Sequence, residues 1–323
     1  MSDHIRTGLL GIDHAHARDL LGVLKDSEDY EVVGVWEPDA AFREQYGSEA
    51  ELANVPWVEK EALLDDDTVQ MLAIECGLER ALDFAEMAVD AGKHIHLDKP
   101  AGTNLGHFKT ILDKTAQKDL LLQMGYMFRY NPGFDLIRHC VDEGWLGEVF
   151  SMCTDLGQDK RDRYESHPGG VMLELGCHLI DMIVLILGAP AKVTPYLRHD
   201  ANANDAFLDN TLAVLEYPHA LVSVEITAME PEAFGARRFK IVGDEGSVIL
   251  SPLEPPVARV ALDHETGEFA KGSTTVKLPD LARHIRDVAD FAACIRGEKT
   301  FHYTREHDYK VQKTVMQACG VNV

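Results

Sequence analysis

His94-Ile95-His96-Leu97-Asp98-Lys99-Pro100 is the stretch on which the fold turns. Its first four residues read as a short strand. Pro100 closes it, because proline fixes a turn and holds the preceding backbone extended. In a doubly wound sheet the carboxyl end of such a strand opens onto the ligand crevice. A lysine there can donate to a substrate hydroxyl or a cofactor amide, although a surface lysine in a loop is the commoner case. On either side, strand and helix patterns alternate through the first 125 residues. Ile5 to Ile12, Tyr30 to Trp36 (YEVVGVW), Val69 to Ile74 and Leu120 to Met124 read as strands. Ala17 to Lys25, Arg80 to Ala91 and Leu105 to Gln117 have helical spacing. This alternation predicts an α/β fold with a doubly wound parallel sheet of the Rossmann type.

After residue 125 the pattern changes. Helical runs at Pro132 to Glu143 and Val171 to Leu187 flank a strand at Val149 to Asp155. Seven strand-like runs then follow between Lys192 and Leu278, separated by turns such as Gly243-Asp244-Glu245-Gly246. Adjacent runs of this kind predict a large, mainly antiparallel open sheet in a C-terminal α/β domain. The boundaries are 1–125 and 126–323, and the helical patterns at Asp280 to Gly297 and Glu306 to Cys319 could pack back towards the first domain.

The segment Gly169-Gly170-Val171-Met172-Leu173-Glu174-Leu175-Gly176-Cys177-His178-Leu179-Ile180-Asp181 carries a polar stripe on an apolar helix. Glu174, His178 and Asp181 stand at i, i+4 and i+7, so they share one face. Burying ionisable groups without partners is costly, so they line a polar cavity or bond to one another. One reading is a polar network tying the helix to its neighbours. The other is a carboxylate–histidine pair in which the acid orients a general base.

A dinucleotide fold places G-x-G-x-x-G after its first strand and an acid at the end of its second. Here the loop is Gly11-Ile12-Asp13-His14-Ala15-His16, and only its first glycine remains. An aspartate near a pyrophosphate is unfavourable unless it turns away or a positive group offsets it. Glu37 directly follows YEVVGVW, where an acid can accept from both ribose hydroxyls and disfavour a 2′-phosphate. NAD is therefore expected over NADP. The pairs His14-x-His16 and His94-x-His96 invite a metal reading. No cysteine or carboxylate completes either at recognisable ligand spacing, so no metal is expected.

The 323 residues are 46% hydrophobic, with a net charge of -23. That size and composition suit a globular protein of one large or two ordinary domains. The negative field repels nucleic acid and anionic membrane, so neither is expected as a partner. Six cysteines without a C-x-x-C pair suit a reduced, cytoplasmic protein. The first residues lack a secretory pattern. The apolar stretch Val171 to Leu187 contains three ionisable residues, which argues against a membrane span.

The chain resembles the Gfo/Idh/MocA oxidoreductases. Ala91-Gly92-Lys93-His94-Ile95-His96-Leu97-Asp98-Lys99-Pro100 is similar to the family's A-G-K-H-V-x-x-E-K-P run. Gly125-Tyr126-Met127-Phe128-Arg129-Tyr130-Asn131-Pro132 resembles its G-x-x-x-R-x-x-P segment, and Gly144 to Val149 its G-x-x-G-E-V. Gly169 to Asp181 resembles its G-G-G-x-x-x-D-x-G-x-H-x-x-D helix. The resemblance implies reversible hydride transfer between NAD(P) and a hydroxyl of a sugar, cyclitol or related polyol. It also implies a homodimer or homotetramer built through the C-terminal sheet. By position, Lys99 would orient the hydroxyl and the nicotinamide, His178 would take the proton, and Glu174 would support His178. Gly11, Ile12, Asp13, His14, Glu37, Asp98, Lys99 and Pro100 would hold the cofactor. Tyr126, Arg129, Asp155, Tyr164 and Asp181 are expected around the substrate. Departures are Glu174 and Asp98, where the family has Asp and Glu, the glycine-poor loop, and Glu75-Cys76-Gly77-Leu78 in place of a proline–asparagine turn. Two alternatives remain open. One is an enzyme that retains NAD and performs net non-redox elimination or glycoside cleavage. The other is a non-enzymatic ligand sensor on the same fold.

Overall fold

A computed structural model describes residues 4–159, 169–201, 207–321 and 323. The chain divides into two units, residues 1–126 with 282–309, and residues 127–281 with 310–323.

In the first unit, strands β1 (Ile5–Leu10), β2 (Tyr30–Trp36), β3 (Met71–Ile74), β4 (His94–Leu97) and β5 (Leu122–Met124) form one sheet. Their order is β2-β1-β3-β4-β5. Every neighbour pairs in parallel. β3 is buried along its whole length, which explains its unbroken apolar run MLAI. Helices α1 (His16–Asp26), α2 (Ala40–Tyr46), α3 (Glu61–Leu64), α4 (Leu78–Asp90) and α5 (Leu105–Gln117) connect the strands. α1 buries Ala17, Leu20, Leu21 and Leu24, the spacing of a single helical face. Asn104 caps α5 by accepting from the His107 N–H at 3.0 Å.

Residues 282–309, beyond the boundary at 125, also belong to this first unit, and residues 310–323 to the second. The reason is apolar. Val288, Phe291 and Ala292 complete the core formed by Leu20, Leu21, Leu24 and Val35. Burying Phe291 contributes about 1.5–3 kcal/mol by area alone. The Tyr30 hydroxyl adds a bond to the Val288 carbonyl at 3.0 Å.

In the second unit, α6 (Pro132–Asp142) starts at Asn131, whose side chain accepts from the Gly133 N–H. β6 (Val149–Gly157) follows. The turn Met172–Gly176 is a widened π-type turn that leads into α7 (Cys177–Leu187). The apolar pattern predicts one helix from Val171 to Leu187, so this wide turn is a difference. It resembles the single-turn bulges that occur inside α-helices, often at functional sites. Gly170 enters the turn at φ +55°, and a Cβ there would collide with the Leu208 carbonyl. Strands β7 (Lys192–Arg198), β8 (Asn210–Glu216), β9 (Leu221–Thr227), β10 (Arg238–Gly243), β11 (Gly246–Leu250), β12 (Val257–Leu262) and β13 (Gly272–Lys277) join β6. The eight-stranded order is β13-β12-β11-β10-β6-β9-β8-β7. β6 and β9 pair in parallel, and the other neighbours are antiparallel. β8 buries every second residue, so one face of the sheet is turned to the core.

Candidate functional site

The carboxyl ends of β1 to β4 bring together most of the residues expected at the cofactor. Gly11 turns the chain out of β1 at φ +84°, and a Cβ there would collide with the Cys76 side chain. Only glycine meets both demands comfortably. Glu37 is buried at the end of β2. It accepts from the Ile12 N–H at 3.1 Å and from the Asp39 N–H at 2.9 Å. The Arg80 guanidinium binds Glu37 at 2.8 Å and also pairs with Asp13. Asp13 further accepts from the Gly77 N–H at 3.0 Å. The aspartate in the phosphate loop is therefore both turned aside and offset by a cation. That is the condition under which an anionic cofactor can be tolerated beside it. The glycine turn and the Glu37 carboxylate fit a dinucleotide. The His14 N–H, by contrast, is committed to the Glu75 carbonyl at 3.3 Å.

Asp98, Lys99 and Pro100 follow β4 and are buried. Lys99 is 4% exposed, and its N–H donates to Asp98 Oδ1 at 2.8 Å. His14 Nδ1 lies 2.6 Å from Asp98 Oδ2, and His16 Nδ1 lies 3.1 Å from Asp98 Oδ1. Burial alone would raise the Asp98 carboxyl, but His16 and His14 hold it well below the usual carboxylate range. Burial lowers His16, against the pull of Asp98. Behind this group, Glu75 and His96 are buried, with Glu75 Oε1 3.4 Å from His96 Nε2. Burial, then the nearby Asp98 charge, pushes the Glu75 carboxyl well above its ordinary value, with Lys99 opposing. His96 Nδ1 bonds to Gln123 Oε1 at 3.0 Å, and Gln123 donates to the Asp287 carbonyl at 3.0 Å. His284 stands 3.4 Å from Asp287, and its ring centre is 6.1 Å from that of His16.

In the second unit, His178 is 2% exposed on α7, two residues past the end of the wide turn that holds Glu174. Its ring meets Phe128 edge-on at 5.9 Å between centres. Arg129 and Asp181 are joined in a buried fork. Arg129 Nε donates to both Asp181 oxygens at 3.2 and 3.0 Å, and a second nitrogen donates at 2.7 Å. Both side chains are 0% exposed. Asp155 lies on β6, where it pairs with Arg238 at 3.0 Å. Burial raises its carboxyl, against the Arg238 charge. Tyr126 is buried at the end of the first unit's first segment. Tyr164 lies outside the described residues.

Two models of one family match the chain in sequence. The NAD-binding Rossmann model of the oxidoreductase family matches residues 5–126. The GFO/IDH/MocA C-terminal domain model matches residues 134–249. The chain belongs to the GFO/IDH/MocA oxidoreductases.

The protein is 24% identical over 319 residues to a relative named scyllo-inositol 2-dehydrogenase (NAD(+)) from Bacillus subtilis strain 168, covering 93% of this chain and 89% of the relative. It is 23% identical over 318 residues to D-xylose 1-dehydrogenase (NADP(+)) 2 of Haloferax volcanii, covering 95% and 94%. The solved structure of an NAD binding oxidoreductase from Klebsiella pneumoniae shares the fold, with TM-score 0.82, 15% identity and coverage of 97% and 95%. Among the described residues, no helix is long and apolar enough to cross a membrane. As a GFO/IDH/MocA protein, this chain departs from the family run where Asp98 and the loop histidines meet. Sequence reasoning did not find Arg80, Glu75, His284 or Asp287. Arg80 had one local signal, its place in the first turn of the helix after Gly77. The terminal pair had none, because their neighbours are remote in sequence.

Proposed function

We propose that this protein is an NAD-dependent oxidoreductase that moves hydride between the nicotinamide and a hydroxyl of a sugar, cyclitol or related polyol. The observation that carries this reading is Lys99, 4% exposed at the carboxyl end of a central parallel strand. A lysine is rarely buried there without a ligand or an acid to face. The names of the inositol and xylose dehydrogenase relatives support the substrate class.

The Gly11 to His14 loop and Glu37 would hold the dinucleotide, with Asp98, Lys99 and Pro100 beside its reactive end. Arg80 faces two carboxylates, Asp13 and Glu37, so this end keeps a net negative charge. That charge disfavours a 2′-phosphate and favours NAD. When bound, NAD supplies the hydride acceptor. Lys99 donates to the reacting oxygen and stabilises the charge that develops on it. His178 takes the hydroxyl proton. Glu174 orients the imidazole and stabilises its charged form. The buried surroundings of His178 strengthen the interactions of its imidazole.

The test is NADH formation on incubation with NAD and a panel of sugars and inositols. Turnover is expected with at least one member. His178→Ala should lower kcat by about 10²–10⁴. No turnover with any member, despite tight NAD binding, would sink the proposal.

A further inference from the structure

We propose that His14, His16 and Asp98 form a binding site for one divalent first-row transition-metal ion. The site stands beside the hydride-transfer reading and does not rest on it. One ligand atom from each residue lies within 4.8 Å of the other two. An ion held at about 2.0–2.2 Å by each ligand allows those atoms to stand up to about 4.4 Å apart. Small side-chain movements therefore close the site. Two imidazoles and one carboxylate suit zinc, iron, cobalt or manganese, and three protein ligands leave positions open for water or another oxygen ligand.

The local geometry calls for a cation. Each oxygen of Asp98 faces a different imidazole Nδ1, at 2.6 and 3.1 Å. His14 Nδ1 also faces the His16 N–H at 3.4 Å. That nitrogen cannot donate to the carboxylate and accept from an N–H with the same orbital. One metal ion between the three groups uses both Nδ1 lone pairs and the carboxylate together.

A second observation lies just behind. Glu75 Oε2 and His96 Nε2 are buried and make no hydrogen bond. The residues themselves are 1% and 2% exposed. A Cβ placed on Gly125 would stand 3.0 Å from Asp98 Oδ1 and 3.6 Å from His96 Nε2, so both atoms look onto one point. His96 Nε2, which also stands 3.4 Å from Glu75 Oε1, thus lies close to the carboxylate of a proposed ligand, where outer-shell groups around a metal are found. The loop position gives the ion a purpose. The Ile12 and His14 N–H groups are turned to Glu37 and Glu75, so the loop has fewer amide donors to offer an anion. A divalent ion at His14, His16 and Asp98 restores positive potential there. A second cluster, Glu245, Asp263 and His264, is mostly exposed and, among the described residues, has no such buried, unsatisfied neighbours.

The full chain is stripped with a chelator, dialysed, and titrated by calorimetry with Zn²⁺, Co²⁺ and Mn²⁺ in turn, without NAD. One ion per chain is expected for at least one metal, and Co²⁺ should give a ligand-field absorption band. His16→Gln and Asp98→Asn should each weaken binding by at least about a hundredfold, because loss of outer-shell partners alone costs about 10–100-fold. His264→Gln should leave it unchanged. His14→Gln carries the test if Asp98→Asn fails to fold by circular dichroism. No stoichiometric binding of any of the three metals overturns the proposal. So does binding that survives both His14→Gln and His16→Gln, or binding that His264→Gln abolishes. An NAD titration of the stripped protein reports on the cofactor reading separately.

Discussion

Replacing Asp181 by asparagine tests what the Arg129–Asp181 pair is for. The sequence places both residues around the substrate. In the structure they form three hydrogen bonds, between 2.7 and 3.2 Å, with both side chains fully buried. Asp181→Asn keeps the shape but removes the carboxylate charge that faces Arg129 in a low-dielectric interior. Breaking a buried pair from one side costs about 3–5 kcal/mol. For a unit of this size, that lowers Tm by about 6–20 °C. Urea denaturation followed by circular dichroism measures the loss. Arg129→Met with Asp181→Leu should recover much of it, because a well-packed apolar pair of similar volume is often no worse than an ion pair. A loss under about 1 kcal/mol in Asp181→Asn, with a raised KM, would refute the structural reading and return the pair to the substrate.

Three further outcomes are expected. Glu75 has its carboxyl raised by burial, so folding takes up a proton between the unfolded value near about 4.3 and the higher folded value. Wild-type stability should fall by about 1.4 kcal/mol per pH unit across that window, while Glu75→Gln lacks this slope. The stability gap in favour of glutamine should therefore widen from pH 5 to pH 8, and parallel denaturation curves would contradict it. Gly170→Ala forces an L side chain to φ +55° against the Leu208 carbonyl. It should cost at least about 1–2 kcal/mol from the backbone alone, and a denaturation midpoint equal to wild type would be the contrary result. Arg80→Ala removes the cation that offsets Asp13 and Glu37. NAD affinity should drop about tenfold or more, roughly 1.4 kcal/mol, and calorimetry showing unchanged affinity would count against it.

The parallel sheet could be read from short strand-like runs such as YEVVGVW and HIHL alternating with helical spacings, and the central run MLAI, buried along its whole length, shows the unbroken apolar pattern of a buried parallel strand. The second sheet could be read from alternation, as in β8, where every other side chain points inward. What could not be read depends on distance along the chain. Asp98 meets His16 across 82 residues, and Arg129 meets Asp181 across 52. No spacing rule reaches that far, so local sequence could not bring Asp98 to the loop histidines. Val288 and Phe291 join the core of α1 for the same reason. The wide turn at Met172–Gly176 was hidden because an apolar helix and an apolar π-type turn have the same composition. Lys99, His178 and Glu37 were visible because each is a polar residue where the pattern demands an apolar run or a strand end.

The central claim is that the loop around Gly11 and the carboxylate of Glu37 receive NAD. A calorimetric titration of the full chain with NAD, and then with NADP, tests it most directly. Saturable binding of NAD at one site per chain, tighter than NADP, is the predicted result. Absence of binding by either dinucleotide would contradict the account.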